Sequence, residues 1–343
     1  LLTSVCGDIC GAEGWEDIED YGHAQAEWFA EVLDLPHGIP SDDTFRRVLS
    51  RLDPEELTEC FVSWTAALSD LSGGDIVAID GKTLRRSFDR ATSQSAVHMV
   101  SAWASANRLV LGQVKVDDKS NEITAIPKLL KMLDLRGATV TMDAMGCQKE
   151  IAQVITEQGA DYVLALKKNH STLYEDVKLF LDDAYNSEFA EMDHDYHETV
   201  DGEHGRIETR KYWITSDIDW LGATVSWAKL QSVGLVESRR EMGEKVELER
   251  RYYLVSLPAD GVRFGNAVRQ HWGVENGLHW VLDVSFDEDA CRIRKDQGAQ
   301  TFSVLRHIAL NMLKRESQNK RGIKARRKRA GWDRNYLLQV LTA

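Results

Sequence analysis

Two short predicted strands in this sequence are each followed by an aspartate, and this arrangement strongly constrains the fold. Ile76–Ile79 is followed by Asp80, and Ala138–Met142 is followed by Asp143. Ile76–Ile79 is a continuous apolar run, which is typical of a strand buried on both faces of a sheet, and Ala138–Met142 is predicted as a second strand. We therefore expect one sheet to bring the two aspartates together, although they are far apart in the chain.

A third carboxylate, Glu275, lies in the segment 269–276. Helical spacing predicts a helix over Gly265–Leu282, with Trp272 and His279 on the same face as Glu275. Two divalent metal ions held about 4 Å apart need a cluster of acidic oxygens. Three carboxylates gathered by a sheet therefore predict a two-metal site and phosphodiester chemistry.

Taken one at a time, the three acids have ordinary structural interpretations. Asp80 precedes Gly81, and Asp-Gly is a common turn dipeptide. Asp143 is placed to cap the helix that begins near Gln148, and a lone glutamate on a helix is usually solvated. The order strand, strand, helix favours a shared site over three separate roles.

The periodicity of the central region predicts an α/β fold. Three strands in succession, at Ile76–Ile79, Ala96–Ala104 and Leu109–Val116, predict an antiparallel meander. Helices and strands then alternate, which gives the order βββαβαβ and a mixed five-stranded sheet with helices. The later elements are a helix over Glu122–Leu133, the strand Ala138–Met142, a helix over Gln148–Gln158, the strand Asp161–Leu166 and a helix over Ser171–Asp183.

Changes of pattern divide the chain into five regions. Residues 193–249 alternate β-branched and aromatic residues with polar ones, which predicts a β-rich insertion, and Gln297–Met312 has the spacing of a late helix. The predicted regions are a small acidic helical unit over 1–70, the first part of the core over 71–190, the insertion over 191–250, the remainder of the core with Glu275 over 251–313, and a basic tail over 314–343.

The net charge of -13 is unusual for a protein that binds nucleic acid. Its distribution explains most of the conflict, because residues 1–70 hold 16 acidic and 3 basic side chains, and the remaining 39 of each sign cancel. Residues 314–334 carry 10 Lys or Arg against two acids. Such a run is either a solvated, flexible face or a contact for phosphates.

Composition limits the class of protein. The 343 residues are 43% apolar, no apolar run approaches the roughly 20 residues of a membrane span, and the start at Leu1 lacks a signal-peptide pattern. The five cysteines form no C-x-x-C pair, which predicts reduced thiols. We expect a soluble cytoplasmic protein without a membrane partner, and the absence of an initial methionine leaves its natural start open.

Several sequence blocks together resemble the H-repeat-associated group of bacterial insertion-sequence transposases. The likeness extends over nearly the whole chain, and segment 42–47 resembles the N-terminal domain associated with that group. The blocks in the core are 78–83 (AIDGKT), 119–123 (KSNEI), 141–148 (TMDAMGCQ), 162–167 (YVLALK), 271–276 (HWGVEN) and 279–284 (HWVLDV).

The resemblance implies a ribonuclease H-like core whose DDE triad is Asp80, Asp143 and Glu275. It also implies two Mg²⁺ or Mn²⁺ ions per site, double-stranded DNA as the partner at element ends and target, and association with the bacterial nucleoid. Because two ends must be held together, we expect at least a homodimer on DNA.

The wider transposase class carries a tyrosine, an arginine and a lysine near the glutamate, where this chain has Val268, His271 and Leu282. The resemblance therefore suggests other basic groups as the phosphate contacts. Trp272 and Trp280 are either core residues or stacking platforms for a displaced base. The candidate DNA contacts are Lys82, Lys167, Lys168, Arg269, His271, Trp272, His279, Arg326, Arg327, Lys328 and Arg329.

Three hypotheses follow for the function. The first is an active transposase that cuts element ends and joins the freed 3′ hydroxyl to target DNA. The second is a decayed or host-adopted relative that binds DNA without moving it, which is suggested by Lys168 and His170 where glycine and glutamine are expected. The third is a general ribonuclease H-like nuclease that cuts without preference for ends.

Overall fold

The computed structural model describes residues 1–69, 71, 73–89, 95–117, 120–190, 192–203, 205–222 and 226–343. Its strands are β1 (Ile76–Thr83), β2 (His98–Ala104), β3 (Leu109–Lys115), β4 (Thr139–Met142), β5 (Asp161–Leu166), β6 (Asp195–Glu203), β7 (Arg206–Thr215), β8 (Ser232–Met242) and β9 (Lys245–Val255). Its helices are α1 (Leu2–Cys10), α2 (Trp15–Ala24), α3 (Ala26–Val32), α4 (Asp42–Leu49), α5 (Pro54–Leu68), α6 (Glu122–Met132), α7 (Lys149–Glu157), α8 (Ser171–Asn186), α9 (Gly261–His271), α10 (Trp280–Phe286), α11 (Gly298–Arg315), α12 (Ile323–Trp332) and α13 (Arg334–Leu341).

One sheet runs through the molecule in the order β3-β2-β1-β4-β5-β9-β8-β7-β6. The predicted antiparallel meander is confirmed in β1 to β3, and β4 and β5 add to it in parallel. The first five strands, in the order 3-2-1-4-5, form the mixed sheet of a ribonuclease H-like core. The fold class predicted from the sequence is therefore confirmed.

The predicted number of strands is wrong, because the sheet has nine strands and not five. The difference arises at β9, whose end at Tyr252–Val255 pairs with β5 while its whole length pairs with β8. The apolar segment Tyr252–Leu257 has the sequence pattern of a further sheet strand, but it begins inside β9, a strand of the β-rich region. A long antiparallel strand extends the core sheet directly into the region that the sequence predicted as an insertion.

Helices cover both faces of the core strands, as the continuous apolar runs require. On one face, Ile79 and Met142 pack with residues of α6, α7 and α8. On the other face, Ala78 packs with α10, α11 and helices from both ends of the chain. Because side chains alternate along a strand, Asp80 and Asp143 project toward this second face.

The two ends of the chain meet on the second face. Helix α1 packs against α11 and α12, and α13 packs against α12. Residues 323–341 are therefore mostly helical and folded, where the sequence predicted a basic tail. Two of the predicted region boundaries, at residues 70 and 191, lie outside the described residues. Within the described part of the chain, no helix is long and apolar enough to span a membrane.

Candidate active site

Asp80 and Asp143 lie side by side on neighbouring parallel strands. Ile79 of β1 pairs with Met142 of β4, so each aspartate is the next residue on its own strand. Neighbouring strands are about 4.8 Å apart, and both aspartates leave the sheet on the same face. The side chain of Asp80 is 23% exposed and Asp143 is exposed. This arrangement is the one that the two predicted strands imply.

The third carboxylate lies on an irregular helical segment. The sequence predicts one helix over Gly265–Leu282, but a π-helical turn over Glu275–His279 separates α9 from α10. In this turn the amide of Trp280 donates to the carbonyl of Glu275, five residues back. Single π-helical turns are rare and are frequently found at functional sites. Glu275 is the first residue of the turn and is exposed.

Close packing against β2 fixes the position of this segment. Trp103 of β2 is 2% exposed, and Gly273 and Gly277 lie against its ring. A Cβ atom on Gly277 would stand 2.9 Å from Cζ2 of Trp103, closer than real Cβ contacts allow. The absence of side chains at these two glycines therefore lets the backbone that carries Glu275 approach the sheet.

The three carboxylates line one pocket at the end of β1, β4 and β5. Lys167 follows β5 and Arg251 lies on the neighbouring strand β9, so two positive side chains also line the pocket. The register of β5 and β9 explains this pairing, because Leu166 pairs with the residue after Arg251. The pocket thus combines acids that attract cations with bases that attract an anion. Its remaining polar and aromatic walls include Thr141, Tyr253, His271 and Trp272.

Two histidines lie next to the acids. Nε2 of His279 is 3.2 Å from Oδ2 of Asp80, at ion-pair distance but without hydrogen-bond geometry. Nδ1 of His271 is 3.0 Å from Oγ1 of Thr141. Burial lowers the pKa of His271, although the negative charges of the two aspartates act in the opposite direction. The neutral form of His271 is therefore favoured near pH 7.

The chemistry of the donor set fits a hard divalent ion. Carboxylate oxygens are the ligands that Mg²⁺ and Mn²⁺ prefer. Among the described residues, however, no three acidic, histidine or cysteine side chains converge closely enough to hold an ion. Oδ1 of Asp143 accepts the amide of Met145 at 2.9 Å. Ion binding would therefore require side-chain movement, for which the exposed carboxylate of Glu275 is free.

Comparison with known proteins decides the family. Residues 71–312 match the family model described as "Transposase DDE domain", and residues 1–65 match the one described as "DDE_Tnp_1-associated". This chain belongs to the transposase DDE domain family. The match over more than half of the chain confirms the resemblance seen in the sequence blocks.

Full-length relatives agree with the family model. The "H repeat-associated putative transposase YhhI" of Escherichia coli K12 is 42% identical over 99% of this chain and 91% of its own length. The "Putative transposase YncI" of Escherichia coli O157:H7 is 40% identical over 100% of this chain and 88% of its own length. A cryo-EM structure of the piggyBac transposase synaptic complex with hairpin DNA aligns with a TM-score of 0.48 at 10% identity, over 100% of this chain and 72% of that one.

Lys82 of this transposase-family chain does not line the pocket. Its Nζ lies between the carboxylates of Asp283 and Glu288, 2.8 Å from Oε2 of the latter. Glu288 is 2% exposed and also lies 3.8 Å from Nη1 of Arg306. The prediction of a phosphate contact at Lys82 is therefore not supported. The acidic cluster Asp283, Asp287, Glu288 and Asp289 has the sequence pattern of a solvated loop, but Glu288 is a buried partner of two bases.

The dense basic run near the C-terminus contains both buried and exposed side chains. Arg327 is 4% exposed and donates to the carbonyls of Asp8 and Ser285. Arg326 donates to the carbonyls at the end of α11, including Leu313 at 2.6 Å. These two arginines join α12 to the rest of the protein instead of facing DNA. Lys328 and Arg329 are exposed on α12 and stay candidate phosphate contacts.

The remaining candidates lie around the pocket with unequal exposure. Lys168 follows Lys167 and is exposed, and Arg269 is 3.5 Å from Asp201 of β6. Trp272 is half-buried, and Cζ of the Arg251 guanidinium lies 5.0 Å from the centre of the Trp272 ring. Trp280 is 59% exposed, so its interpretation as a core residue is wrong. Arg251 is not among the DNA contacts predicted from the sequence, although the apolar segment Tyr252–Leu257 directly after it was an available signal.

Proposed function

We propose that this chain is the DNA transposase of a bacterial insertion sequence, which cuts at the ends of its element and transfers the strand to target DNA. Asp80, Asp143 and Glu275 are its proposed catalytic residues. The observation that supports this most directly is that the three acids, from distant positions, line one pocket in a chain of the transposase DDE domain family. No covalent protein intermediate is part of the proposal.

The same three carboxylates are the proposed ligands of two Mg²⁺ or Mn²⁺ ions. When bound, such ions activate the attacking water or 3′ hydroxyl and stabilise the leaving oxygen. The protein contributes a rigid sheet edge for Asp80 and Asp143, and a segment held against Trp103 for Glu275. Both supports reduce the movement that the carboxylates undergo during the reaction.

The basic side chains of the pocket are suited to hold the scissile phosphate. Lys167 and Arg251 lie on the same wall, and an arginine that also stacks on Trp272 has a fixed guanidinium plane. His271, favoured in its neutral form, can donate or accept a hydrogen bond without adding charge. We propose that these three residues replace the basic groups that the wider transposase class carries near its glutamate.

The proposed partners are two element ends and a target, all double-stranded DNA, held by at least two copies of the chain. A single pocket can act on one strand at a time, whereas excision requires both ends of the element. We place this activity in the bacterial cytoplasm, at the nucleoid. Size-exclusion chromatography with light scattering, with and without end DNA, measures the number of copies.

The decisive experiment is a cleavage and strand-transfer assay on labelled duplexes that carry the sequences flanking the gene. Purified protein is expected to nick these duplexes with Mg²⁺ or Mn²⁺ but not with EDTA, and to join the 3′ end to a target plasmid. Asp80→Asn should abolish both reactions. Asp176→Asn changes an exposed aspartate on α8 and serves as the control.

Each other outcome selects a different function. Cleavage by Asp80→Asn at the wild-type rate would refute the triad. Cleavage without preference for the flanking sequences, and without joined products, would indicate a general nuclease. Binding of the flanking duplex without any cleavage by the folded wild type would indicate a decayed or host-adopted DNA-binding protein.

A further inference from the structure

A second pocket lies next to the one that the three acids line. Its volume of about 420 Å³ is within the range of ligand pockets. Trp272 lines both pockets, so the two are neighbours. The walls come from the β2–β3 turn, the segment before Glu275 and the end of α11. We call it the flanking pocket, and its main side chains are Trp103, Arg108, Arg269 and Lys314.

The flanking pocket is positively charged. Arg108, Arg269 and Lys314 line it, and no described residue that lines it is acidic. Among the described residues, no carboxylate is within ion-pair distance of Arg108 or Lys314, while Arg269 is 3.5 Å from Asp201. Such a group is unusual in a chain with a net charge of -13. Unneutralised cations that share a pocket repel each other, and a bound anion relieves that repulsion.

Two of these cations carry an energetic cost, the backbone conformation of Arg108 and the burial of the Lys314 charge. Arg108 has a φ of 54°, in the left-handed region that a residue with a side chain rarely adopts. Nζ of Lys314 is 4.6 Å from the ring centre of the buried Trp103. Burial, together with the positive charges of Arg108 and Arg326, lowers the pKa of Lys314 to about 8. Lys314 therefore reduces the stability of the protein at neutral pH, which is understandable if the charge serves binding.

We propose that the flanking pocket binds a backbone phosphate of the DNA strand next to the bond held at the three acids. This inference rests on the proposed function. Trp103 is too buried to stack on a base, since Lys314 and the two glycines cover it. A singly charged phosphodiester matches a site with one exposed arginine and one half-buried lysine. The pocket thereby orients the strand that enters the catalytic pocket.

Equilibrium binding tests the proposal separately from cleavage. Fluorescence anisotropy is measured with a labelled flanking duplex in EDTA, over a range of salt concentrations. Lys314→Met and Arg108→Ala are each expected to weaken binding about tenfold and to reduce the salt slope by about one phosphate contact. Lys131→Met and Arg136→Ala, on exposed residues of the opposite layer, are the controls. Thermal melting should show that Lys314→Met is at least as stable as the wild type.

Neutral methylphosphonate linkages identify the phosphate. At one position near the cleavage point, this replacement should weaken DNA binding by the wild type about tenfold. It should hardly change DNA binding by Lys314→Met. A duplex with and without a 5′ phosphate at the nick distinguishes a terminal phosphate from an internal one. Wild-type affinity and salt slope in both variants would overturn the proposal, even if the wild type cleaves DNA. Absence of metal-dependent cleavage by the wild type would instead refute the proposed function.

Discussion

The open pocket of the three acids and the buried cluster around Glu288 both include a charged residue of β1, but their charges are balanced differently. On β1, Asp80 belongs to the open pocket and Lys82, two residues later, to a buried cluster with Glu288. Among the described residues, His279 is the one base at salt-bridge distance from the acids of the open pocket, whereas in the buried cluster acids and bases neutralise each other. Charges that stabilise this protein are paired internally, and charges proposed to act on a ligand are left available.

The largest expected effect is on activity at the open pocket. Glu275→Gln removes one proposed metal ligand and should lower the cleavage rate on the order of 10⁴-fold, or about 5 kcal/mol of transition-state stabilisation. Because Glu275 is exposed, the melting temperature should stay within about 1 °C of the wild type. The measurement is single-turnover cleavage with parallel thermal melting. Glu150→Gln, on exposed Glu150 of α7, is the matched control; equal rates in both variants would exclude a catalytic role for Glu275.

A substitution in the buried cluster should lower stability and leave activity nearly unchanged, the reverse of Glu275→Gln. Glu288→Gln leaves Lys82 and Arg306 without their shared carboxylate and should lower the free energy of unfolding by about 3–5 kcal/mol. Cleavage per folded molecule should change little. Urea unfolding measures the loss, and Asp287→Asn, at the exposed neighbouring position, is the control. A Glu288→Gln protein with wild-type stability would show that this cluster does not hold the fold.

Acid should weaken the same cluster. Burial alone would raise the pKa of Glu288, but the positive charges of Lys82 and Arg306 outweigh it and lower the pKa. A carboxylate with a lowered pKa contributes stability above its ordinary pKa, and this contribution is lost as the pH falls below about 4.5. The acid dependence of unfolding should therefore be weaker in Glu288→Gln than in the wild type.

An intermediate loss of stability and activity is expected where Gly277 packs against Trp103 and thereby positions Glu275. Gly277→Ala adds a Cβ that would stand 2.9 Å from Trp103 and should destabilise the protein by about 1–3 kcal/mol, with a lower cleavage rate. Trp103→Phe makes room for the added Cβ. In the double variant it should therefore recover part of the lost stability and part of the lost cleavage rate. Gly322→Ala is the control, because no atom lies within 4 Å of the added Cβ. Purely additive losses in the double variant would contradict the packing argument.

At the flanking pocket the expected effect is a gain in stability, with no loss of cleavage chemistry to accompany it. Lys314 has its pKa lowered to about 8, so its charged form is disfavoured in the folded protein. Lys314→Met should raise the free energy of unfolding at pH 7 by about 1–3 kcal/mol. In the wild type, this destabilisation should fade as the pH rises from about 8 toward 10.5, the ordinary pKa of lysine. Urea unfolding at pH 7 and pH 9.5 measures both, and a less stable variant at pH 7 would contradict the expected direction.

Local sequence patterns were sufficient for much of the core. The bounds of β5 agree with the prediction, and those of β4 and α6 differ by one residue. Asp80 and Asp143 each follow residues that are buried on both faces of the sheet, so the meeting of the two acids on one sheet was predictable too. The prediction was less successful at Gly265–Leu282, because a π-helical turn changes the spacing without an obvious change in residue types.

The sequence by itself determined the ribonuclease H-like order of elements and the three acids, since strand alternation, helix spacing and motif blocks are properties of neighbouring residues. Only the tertiary structure decided which charges are buried, that β9 joins the core sheet to β8, β7 and β6, and that Arg108 and Lys314 share a pocket. These outcomes depend on contacts between residues far apart in the chain, such as Arg327 and the carbonyl of Asp8, which are 319 positions apart. The physical reason is that a charged side chain looks the same in the sequence whether its partner is a distant carboxylate, a backbone carbonyl or the phosphate of a ligand.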